Sequence, residues 1–318
     1  MPVEDDQTQV RAAWLYYMEG LTQAEVAARL KITRLRVNRL LVEARAGGLV
    51  NISLNSSLTG CIQLEQTLVN ECGLKDAVIV PTPQHIDLVG PVIGRAAGQY
   101  VSHFLESSKP GGFGVGWGAT LRETIRHVRA DRHPKLVVSS MMGGLTYGIE
   151  LNSFETASDL ANRVGAQCHY LAAPIYADTP QSRDDIVAQD VFRAAFERIA
   201  GADAAILSVG DLSQRSLLIR NGLPPDVTAD DLRAAGAVGD ILGQFLDAEG
   251  RPIDHPINRR AIALSLEALR KIPTVILASG GTNKSRVIAA VVKAKLVSVL
   301  ICDERTAAAA LGHLRKPN

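Results

Sequence analysis

Near the start of the chain the apolar positions recur with a helical period. In residues 20–50, GLTQAEVAARLKITRLRVNRLLVEARAGGLV, the residues Val37, Leu40, Leu41 and Ala44 fall at i, i+3, i+4 and i+7. That spacing predicts one core-facing stripe on a helix. Just upstream, Val26, Ala27 and Leu30 form the inward face of a shorter helix that ends at Lys31-Ile32-Thr33. Thr22 and Glu25 have the spacing of a capping box, in which hydroxyl and carboxylate satisfy two N–H groups at a helix start. Thr33 is placed to cap the second helix. Two helices joined by so short a turn make a helix-turn-helix. An earlier helix over residues 7–18 carries Val10, Ala13, Trp14 and Tyr17 on one face, which predicts Trp14 in the core of this small domain.

After Gly47-Gly48 the period falls to two, with Val50, Ile52 and Leu54 alternating with Asn51, Ser53 and Asn55. This reads as a short strand or wing. Residues 56–60, SSLTG, predict a linker and set the domains at 1–56 and 57–318. The next helix, with Ile62, Leu64, Leu68 and Val69, fits packing on the following domain and equally fits pairing with its own copy. From Asp76 onward short apolar runs alternate with helical patterns. Strands are expected at 77–80, 112–116, 135–141, 167–171, 204–209, 274–278 and 297–302. Helices are expected near 87–106, 119–129, 155–164, 184–200, 259–271, 284–294 and 304–311. The fold class is therefore α/β: a small helix-turn-helix domain, then a larger, mostly parallel sheet covered on both faces. Residues 210–257, rich in Gly, Pro and Asp, break the rhythm and predict a short hairpin around 245–251.

Charge narrows the reading. The 318 residues are 47% hydrophobic with a net charge of only +1, so affinity for nucleic acid must come from a local patch. Residues 29–45 supply one: Arg29, Lys31, Arg34, Arg36, Arg39 and Arg45 stand against the single acid Glu43. Thr33, Arg34, Leu35, Arg36, Asn38 and Arg39 occupy the N-terminal and outward faces of the second helix. Arginine forks suit guanine edges and phosphates, and asparagine suits adenine. A helical bundle with a solvated basic face is the alternative. The capping box, the short turn and the sided charge together favour double-stranded DNA as partner.

Four scattered cysteines with no C-x-x-C pair predict neither a disulfide framework nor a zinc site, and fit a reducing cytoplasm. The seven histidines show no metal spacing, so no metal is expected. The acidic, polar opening MPVEDDQTQV does not read as a signal peptide, and no run approaches the length of a membrane span. The expectation is a soluble, cytoplasmic protein.

In open parallel sheets ligands sit beyond the C-terminal ends of strands. Three glycine-rich loops are expected there. The first, GGFGVGWGAT at residues 111–120, lets backbone approach an oxyanion at a helix N-terminus, with the Thr120 hydroxyl added. Gly114, Gly116 and Ala119 also fit a loose dinucleotide fingerprint. The following strand, however, ends at Ser139-Ser140-Met141 without the acid that would hold a ribose. No Lys-Ser/Thr pair follows as in a P-loop. Phosphate or polyol binding is preferred to NAD, and no cofactor is expected; tight packing alone would also account for the glycines. The second loop contains Gly143 and Gly144. The third, SGGTNK at residues 279–284, sets Lys284 beside free backbone N–H groups, which suits an anion. A solvated surface lysine is the competing reading. Asp184-Asp185 reads as a helix start, and Asp203 and Asp211 flank a strand and either end it or face a pocket.

GLTQAEVAARLKITRLRVNRLL resembles the N-terminal domain of the SorC family of bacterial transcriptional regulators. The family pattern has glycine in the turn where this chain has Lys31. GVGWGAT, VVSSMMGG, ADAAILSVGD, AVGDILGQFLDAEG and SGGTNK resemble landmarks of the family's effector domain, so the resemblance spans nearly the whole chain. It implies a domain similar in fold to phosphosugar isomerases and deaminases, binding sugars, polyols or their phosphates. Under it Gly114, Gly116 and Gly118 to Thr120 cradle the ligand, Lys284 pairs with its anionic group, and Asp240 bonds a hydroxyl. It also implies an oligomer, dimer or tetramer. The function expected is a ligand-responsive transcriptional regulator, not an enzyme, with the direction of regulation open. The rival reading is a phosphosugar isomerase or deaminase with a helical appendage; its general base would be sought among Asp203, Asp240 and His255.

Overall fold

The computed structural model describes residues 3–50, 58–145 and 152–315. The chain divides into two units, Met1–Ser56 and Ser57–Asn318. In the first, α1 (Val3–Ala13) runs into a π turn at Trp14–Met18, followed by α2 (Gln23–Leu30) and α3 (Arg34–Ala46). Val26 and Ala27 pack with Val37, Leu40, Leu41 and Ala44, and Leu30 is partly buried against them. The capping box is formed: Glu25 N–H donates to Thr22 Oγ1 at 3.3 Å, and Thr22 N–H donates to Glu25 Oε2 at 2.7 Å. Thr33 Oγ1 accepts the Arg36 N–H at 3.2 Å. Lys31, in the turn between the helices, takes the left-handed conformation at φ 53 and ψ 41.

Trp14 is not in that core; it is 58% exposed. Val10, one turn earlier in α1, is 48% exposed as well, so the face the two residues share points to solvent; beyond it the helix widens, with Glu19 N–H reaching the Trp14 carbonyl five residues back at 3.2 Å. Ala13 is buried as expected, and Ala12 and Leu15 are buried with it. The expected strand or wing beyond Val50 lies outside the described residues, as do Ser56 and Ser57 of the expected linker. Thr59 and Gly60 already belong to the next helix.

The second unit opens with α4 (Thr59–Cys72), which buries Cys61 and Leu68 against the strands that follow. Helices and strands then come in the order β1 (Asp76–Val80), α5 (Val89–Ser108), β2 (Gly112–Val115), α6 (Ala119–His127), β3 (Val137–Ser140), α7 (Ser153–Val164) and β4 (Gln167–His169). After α8 (Pro180–Val187) and α9 (Asp190–Ala200) come β5 (Ala204–Leu207), β6 (Val209–Gly210), α10 (Leu217–Asn221) and α11 (Ala229–Ala234). The chain closes with β7 (Gly239–Ile241), β8 (Gln244–Leu246), α12 (Pro256–Arg260), α13 (Leu266–Leu269), β9 (Thr274–Ala278), α14 (Ser285–Lys293), β10 (Val299–Asp303) and α15 (Glu304–Leu314).

Seven strands form a parallel sheet in the order β1-β10-β9-β5-β2-β3-β4. Each expected strand is one of them. Side chains alternate between two cores, as a two-residue period requires. Ile206, Ile276 and Ile301 pack under α5, α6 and α7, while Leu207, Leu277 and Leu300 pack under α14, α15 and the β7–β8 hairpin. A Cβ on Gly94 or Gly98 of α5 would lie 2.5 Å from the Cβ of Glu123 or 2.6 Å from that of His127. Only glycine allows α6 so close, and this fixes where the N-terminus of α6 sits.

Three expectations need correction. The helix over 184–200 is two helices, because Thr179 caps a start at Pro180 and the chain turns at Ala188-Gln189. Asp184-Asp185 therefore lies inside α8, not at its start. The helix over 259–271 is broken into α12 and α13, with Ala261 and Ala263 bridging to Tyr176 and Met142 between them. The strand expected over 204–209 leaves the main sheet at Leu207, and β6 pairs with β7 in a small antiparallel sheet. The hairpin expected around 245–251 is formed: Asp247 N–H donates to the Arg251 carbonyl at 2.9 Å, Ile253 N–H donates to the Phe245 carbonyl at 3.0 Å, and Leu246 bridges antiparallel to Pro252. A further turn precedes it at Leu242-Gly243, both at positive φ (54 and 71), the twist that suits a tight hairpin.

Candidate functional site

On the first unit, α3 presents Arg34, Leu35, Arg36, Asn38 and Arg39 outward, and Leu35 is 80% exposed. Thr33, Leu35, Arg36, Asn38, Arg39 and Val42 line a shallow hollow. The face stays outward because Val37, Leu40, Leu41 and Ala44 use the other side of the helix. Gln23 Nε2 donates to Asn38 Oδ1 at 3.5 Å, and Arg39 pairs with Glu43 at 3.4 Å. An exposed i,i+4 pair is worth only about 0.3–0.5 kcal/mol, so Arg39 can leave it for a phosphate at small cost.

On the second unit, the strand order locates the site. From β2 the chain proceeds outward through β3 to β4; from β5 it proceeds the other way through β9 to β10. Adjacent strands β2 and β5 therefore bound the topological switch point, where the loops at their C-terminal ends diverge and leave a crevice. A cavity of about 290 Å³ lies there. Its walls are residues 117–120 after β2, residues 208–211 after β5, Asn283 and Lys284 after β9, and Asp240 of β7. Such a volume is at the small end for ligand sites and suits a compact ligand.

One wall is built to receive an anion. Gly118 stands at φ 125 and ψ 164, a conformation essentially reserved to glycine, and it turns the chain directly into α6. No side chain caps this helix, and its first internal bond is Arg122 N–H to the Gly118 carbonyl at 3.0 Å. The N–H groups of Ala119 and Thr120 lack intrahelical acceptors and border the cavity. Arg122, Arg215 and Arg220 stand exposed around it.

The facing wall holds carboxylates. Asp240 is 4% exposed, and its Oδ2 accepts the Gly243 N–H at 3.1 Å. Burial raises its pKa to about 6, against the opposing pull of the Gly243 N–H and the Lys284 ammonium; Asp211 adds to the rise. Gly210 makes room for this side chain, since a Cβ there would lie 2.2 Å from Asp240 Oδ1. Asp211 is 5% exposed; its Oδ2 accepts from Asn283 Nδ2 at 3.1 Å. Its Oδ1 is buried without a partner, an acceptor that a ligand hydroxyl would satisfy. Burial lowers the pKa of Lys284, while Asp211, Asp240 and Cys302 pull it back up. Tyr176 O–H donates to the Gly243 carbonyl at 2.6 Å and so steadies the turn that holds Asp240.

Of the residues expected in the effector site, Gly118, Ala119, Thr120, Asp240 and Lys284 come together around this cavity. Gly114 and Gly116 do not line it. They serve sheet packing: a Cβ on Gly114 would lie 2.5 Å from Met141 Sδ, and one on Gly116 would lie 3.0 Å from Leu207 Cδ2. Gly143 and Gly144 are likewise packed away, with Gly143 pressed on the Pro174 carbonyl and Gly144 on Asn152 and Phe154. Among the rival reading's bases, Asp203 accepts the N–H groups of Gly111 and Gly112 at the N-terminal end of β2, and His255 caps α12. Only Asp240 is in the cavity. Arg122, Arg215, Arg220, Ser208 and Asn283 were missing from the sequence-based site, and Asp211, left open between ending a strand and facing a pocket, faces it. Asp211 and Asn283 lay inside stretches already singled out, but the arginines follow no period or motif.

Among the described residues no helix is long and apolar enough to cross a membrane, and no cluster of three or more metal-ligating side chains occurs. Residues 56–312 match the Sugar-bind family of sugar-binding domains, and residues 14–46 match region 4 of sigma-70 factors. The chain is 30% identical to the erythritol catabolism regulatory protein EryD of Brucella abortus, over 97% of this chain and 98% of that one. It is 29% identical to the transcriptional regulator LsrR of Escherichia coli, over 97% and 95%. The full-length sorbitol operon regulator SorC from Klebsiella pneumoniae superposes with a TM-score of 0.71 at 25% identity, over 96% of this chain and 98% of that one. A DeoR family transcriptional regulator from Listeria monocytogenes gives 0.72 at 26% identity, over 79% and 100%. These relatives are transcriptional regulators and not enzymes. The chain belongs to the SorC family of transcriptional regulators, with a helix-turn-helix followed by a Sugar-bind domain.

Proposed function

We propose that residues 1–56 read operator DNA through Thr33, Arg34, Leu35, Arg36, Asn38 and Arg39, and that residues 57–318 sense a small sugar, polyol or sugar phosphate in the switch-point cavity. The observation that carries the ligand assignment is the cavity's polarity. An uncapped helix N-terminus with Arg122 faces two buried carboxylates and Lys284 across about 290 Å³. An anionic group fits the first wall, and hydroxyls fit the second, where Asp211 Oδ1 is unpartnered. The names of EryD and SorC refer to erythritol and sorbitol, which supports polyols and their phosphates as the class to test.

The ligand acts by binding two arrangements of the protein with different affinity, which changes the population competent for DNA. Two-fold oligomers, dimers or tetramers, would present recognition helices to paired half-sites. The cytoplasm is the compartment in which such a protein meets both DNA and metabolites.

Thermal unfolding of the purified chain against sugars, polyols and their phosphates tests the reading. Saturation at about a hundred times Kd adds roughly 2.7 kcal/mol to the folded state. Trp117 lines the cavity, so its emission should change with the same compounds. A shift confined to neutral polyols removes the anion role of α6 and Lys284; the absence of any shift across the panel removes the ligand assignment.

A further inference from the structure

The outward face of α3 carries two apolar side chains among its cations. Leu35 is 80% exposed and Val42 47%, and both line the hollow that also holds Arg36, Asn38 and Arg39. Leu35 is the second residue of the helix, and its direction is fixed. Thr33 Oγ1 accepts the Arg36 N–H at 3.2 Å and locks the first turn, while Val37, Leu40 and Leu41 seat the opposite side in the core. Leu35 does not pack on that core, so it contributes no burial to the fold. Exposed apolar side chains gathered in one hollow mark a contact surface.

We propose, on the reading of α3 as the recognition helix, that Leu35 selects a thymine in each operator half-site by packing on its C5-methyl group in the major groove. The chemistry of the base edges leaves one choice. Base pairs present hydrogen-bond donors and acceptors to the major groove, and the thymine methyl is the single apolar group there. Against guanine, adenine or cytosine the leucine would strip water from N7, O6 or an amino group and offer no bond in return. Against thymine it removes two apolar surfaces from water together.

Position separates Leu35 from its neighbours. Helix-turn-helix proteins bring the first residues of this helix to base edges, and Val42 lies two turns further on, about 10 Å along the axis. Asn38 and the arginines are hydrogen-bonding groups, suited to adenine, guanine and phosphate but not to a methyl. Leu35 is therefore the side chain of this face that is both apolar and at the helix start.

The test uses the full chain and a pool of DNA duplexes with a randomised core, from which bound sequences are selected. Each thymine of the selected duplex is then replaced singly by deoxyuridine, which keeps every hydrogen bond and lacks only the methyl. Affinity is read by fluorescence anisotropy at fixed salt. At one thymine per half-site the replacement should weaken binding about fourfold, the effect of one buried methyl. Leu35→Ala should bind the thymine duplex more weakly than the parent does and should not distinguish it from the deoxyuridine duplex. Asn38→Ala, weakened for a different reason, should still distinguish them. With cytosine at that position, 5-methylcytosine should restore part of the affinity in the parent and none in Leu35→Ala. Leu35 is exposed, so its truncation leaves the core intact, and circular dichroism confirms the fold. A parent indifferent to deoxyuridine at every thymine would overturn the proposal, as would a penalty that persists unchanged in Leu35→Ala. A pool that yields no enriched sequence removes the recognition-helix reading itself and the thymine assignment with it.

Discussion

Replacing Asp240 with asparagine keeps the side chain's shape and an acceptor for the Gly243 N–H while removing one buried charge. Burial holds this carboxyl at a pKa of about 6, against about 3.9 in an unfolded chain. The folded state thus binds the proton more tightly than the unfolded one. Its contribution to stability is fully present below about pH 4 and is lost as pH rises through about 6. Two pKa units at about 1.36 kcal/mol each put the loss at roughly 3 kcal/mol. Asp240→Asn does not titrate and escapes it. We expect the variant to match the parent near pH 4 and to exceed it by up to roughly 3 kcal/mol near pH 7.5, about 6–12 °C in Tm for a domain of this size. Affinity for the ligand should fall about tenfold or more, because a charged acceptor for a hydroxyl is gone. Urea unfolding followed by circular dichroism across this pH range, with ligand titration alongside, measures both. Parallel pH profiles for parent and variant, or a variant less stable near neutrality, would refute the argument that Asp240 is ionised at a cost in order to serve the cavity.

Gly118→Ala should cost about 1–3 kcal/mol through backbone strain alone, since the new Cβ meets nothing closer than Ser208 Cβ at 4.0 Å. It should also weaken ligand binding, whereas Gly114→Ala, which collides with Met141, should lower stability and leave the affinity of the folded protein unchanged; denaturation and ligand titration of the pair separate the two roles. Lys31→Gly should stabilise the helix-turn-helix by about 0.5–1 kcal/mol, because relief of a left-handed lysine outweighs the added unfolded-chain entropy. Trp14 emission in a Trp117→Phe background reports that unit's unfolding. Arg39→Ala should weaken DNA binding about evenly across sequences and reduce the slope of log affinity against log salt by about 1; an unchanged slope would remove Arg39 from the phosphate contacts.

Local features were legible in the sequence because their causes are local. The Thr22–Glu25 box, the Thr33 cap and the Val37-Leu40-Leu41-Ala44 stripe depend on residues within two helical turns, and all three are formed. The seven strands were legible for the same reason, since a strand buried on both faces reads as a short apolar run. The glycine loop at 118–120 was legible as a helix entrance because only glycine tolerates the backbone there. Gly114, Gly116, Gly143 and Gly144 carried the same letter for a different reason: a neighbour distant in sequence leaves no room for a Cβ. Composition does not distinguish the two.

Trp14 was misread because Val10 and Trp14 share a face that the apolar pattern alone marks as core, while the buried side of the helix carries the small residues Ala12 and Ala13. Strand order, and with it the switch point between β2 and β5, is set by which edges meet in the folded sheet. That meeting brings Asp211 from one crossover, Asp240 from a hairpin and Lys284 from another crossover into one cavity with Arg122, Arg215 and Arg220. The sequence by itself determined the elements and the family, because both are written in short-range pattern. Only the tertiary structure decided the site's membership and its charge balance, because burial and Coulomb interaction depend on distance in space, not along the chain.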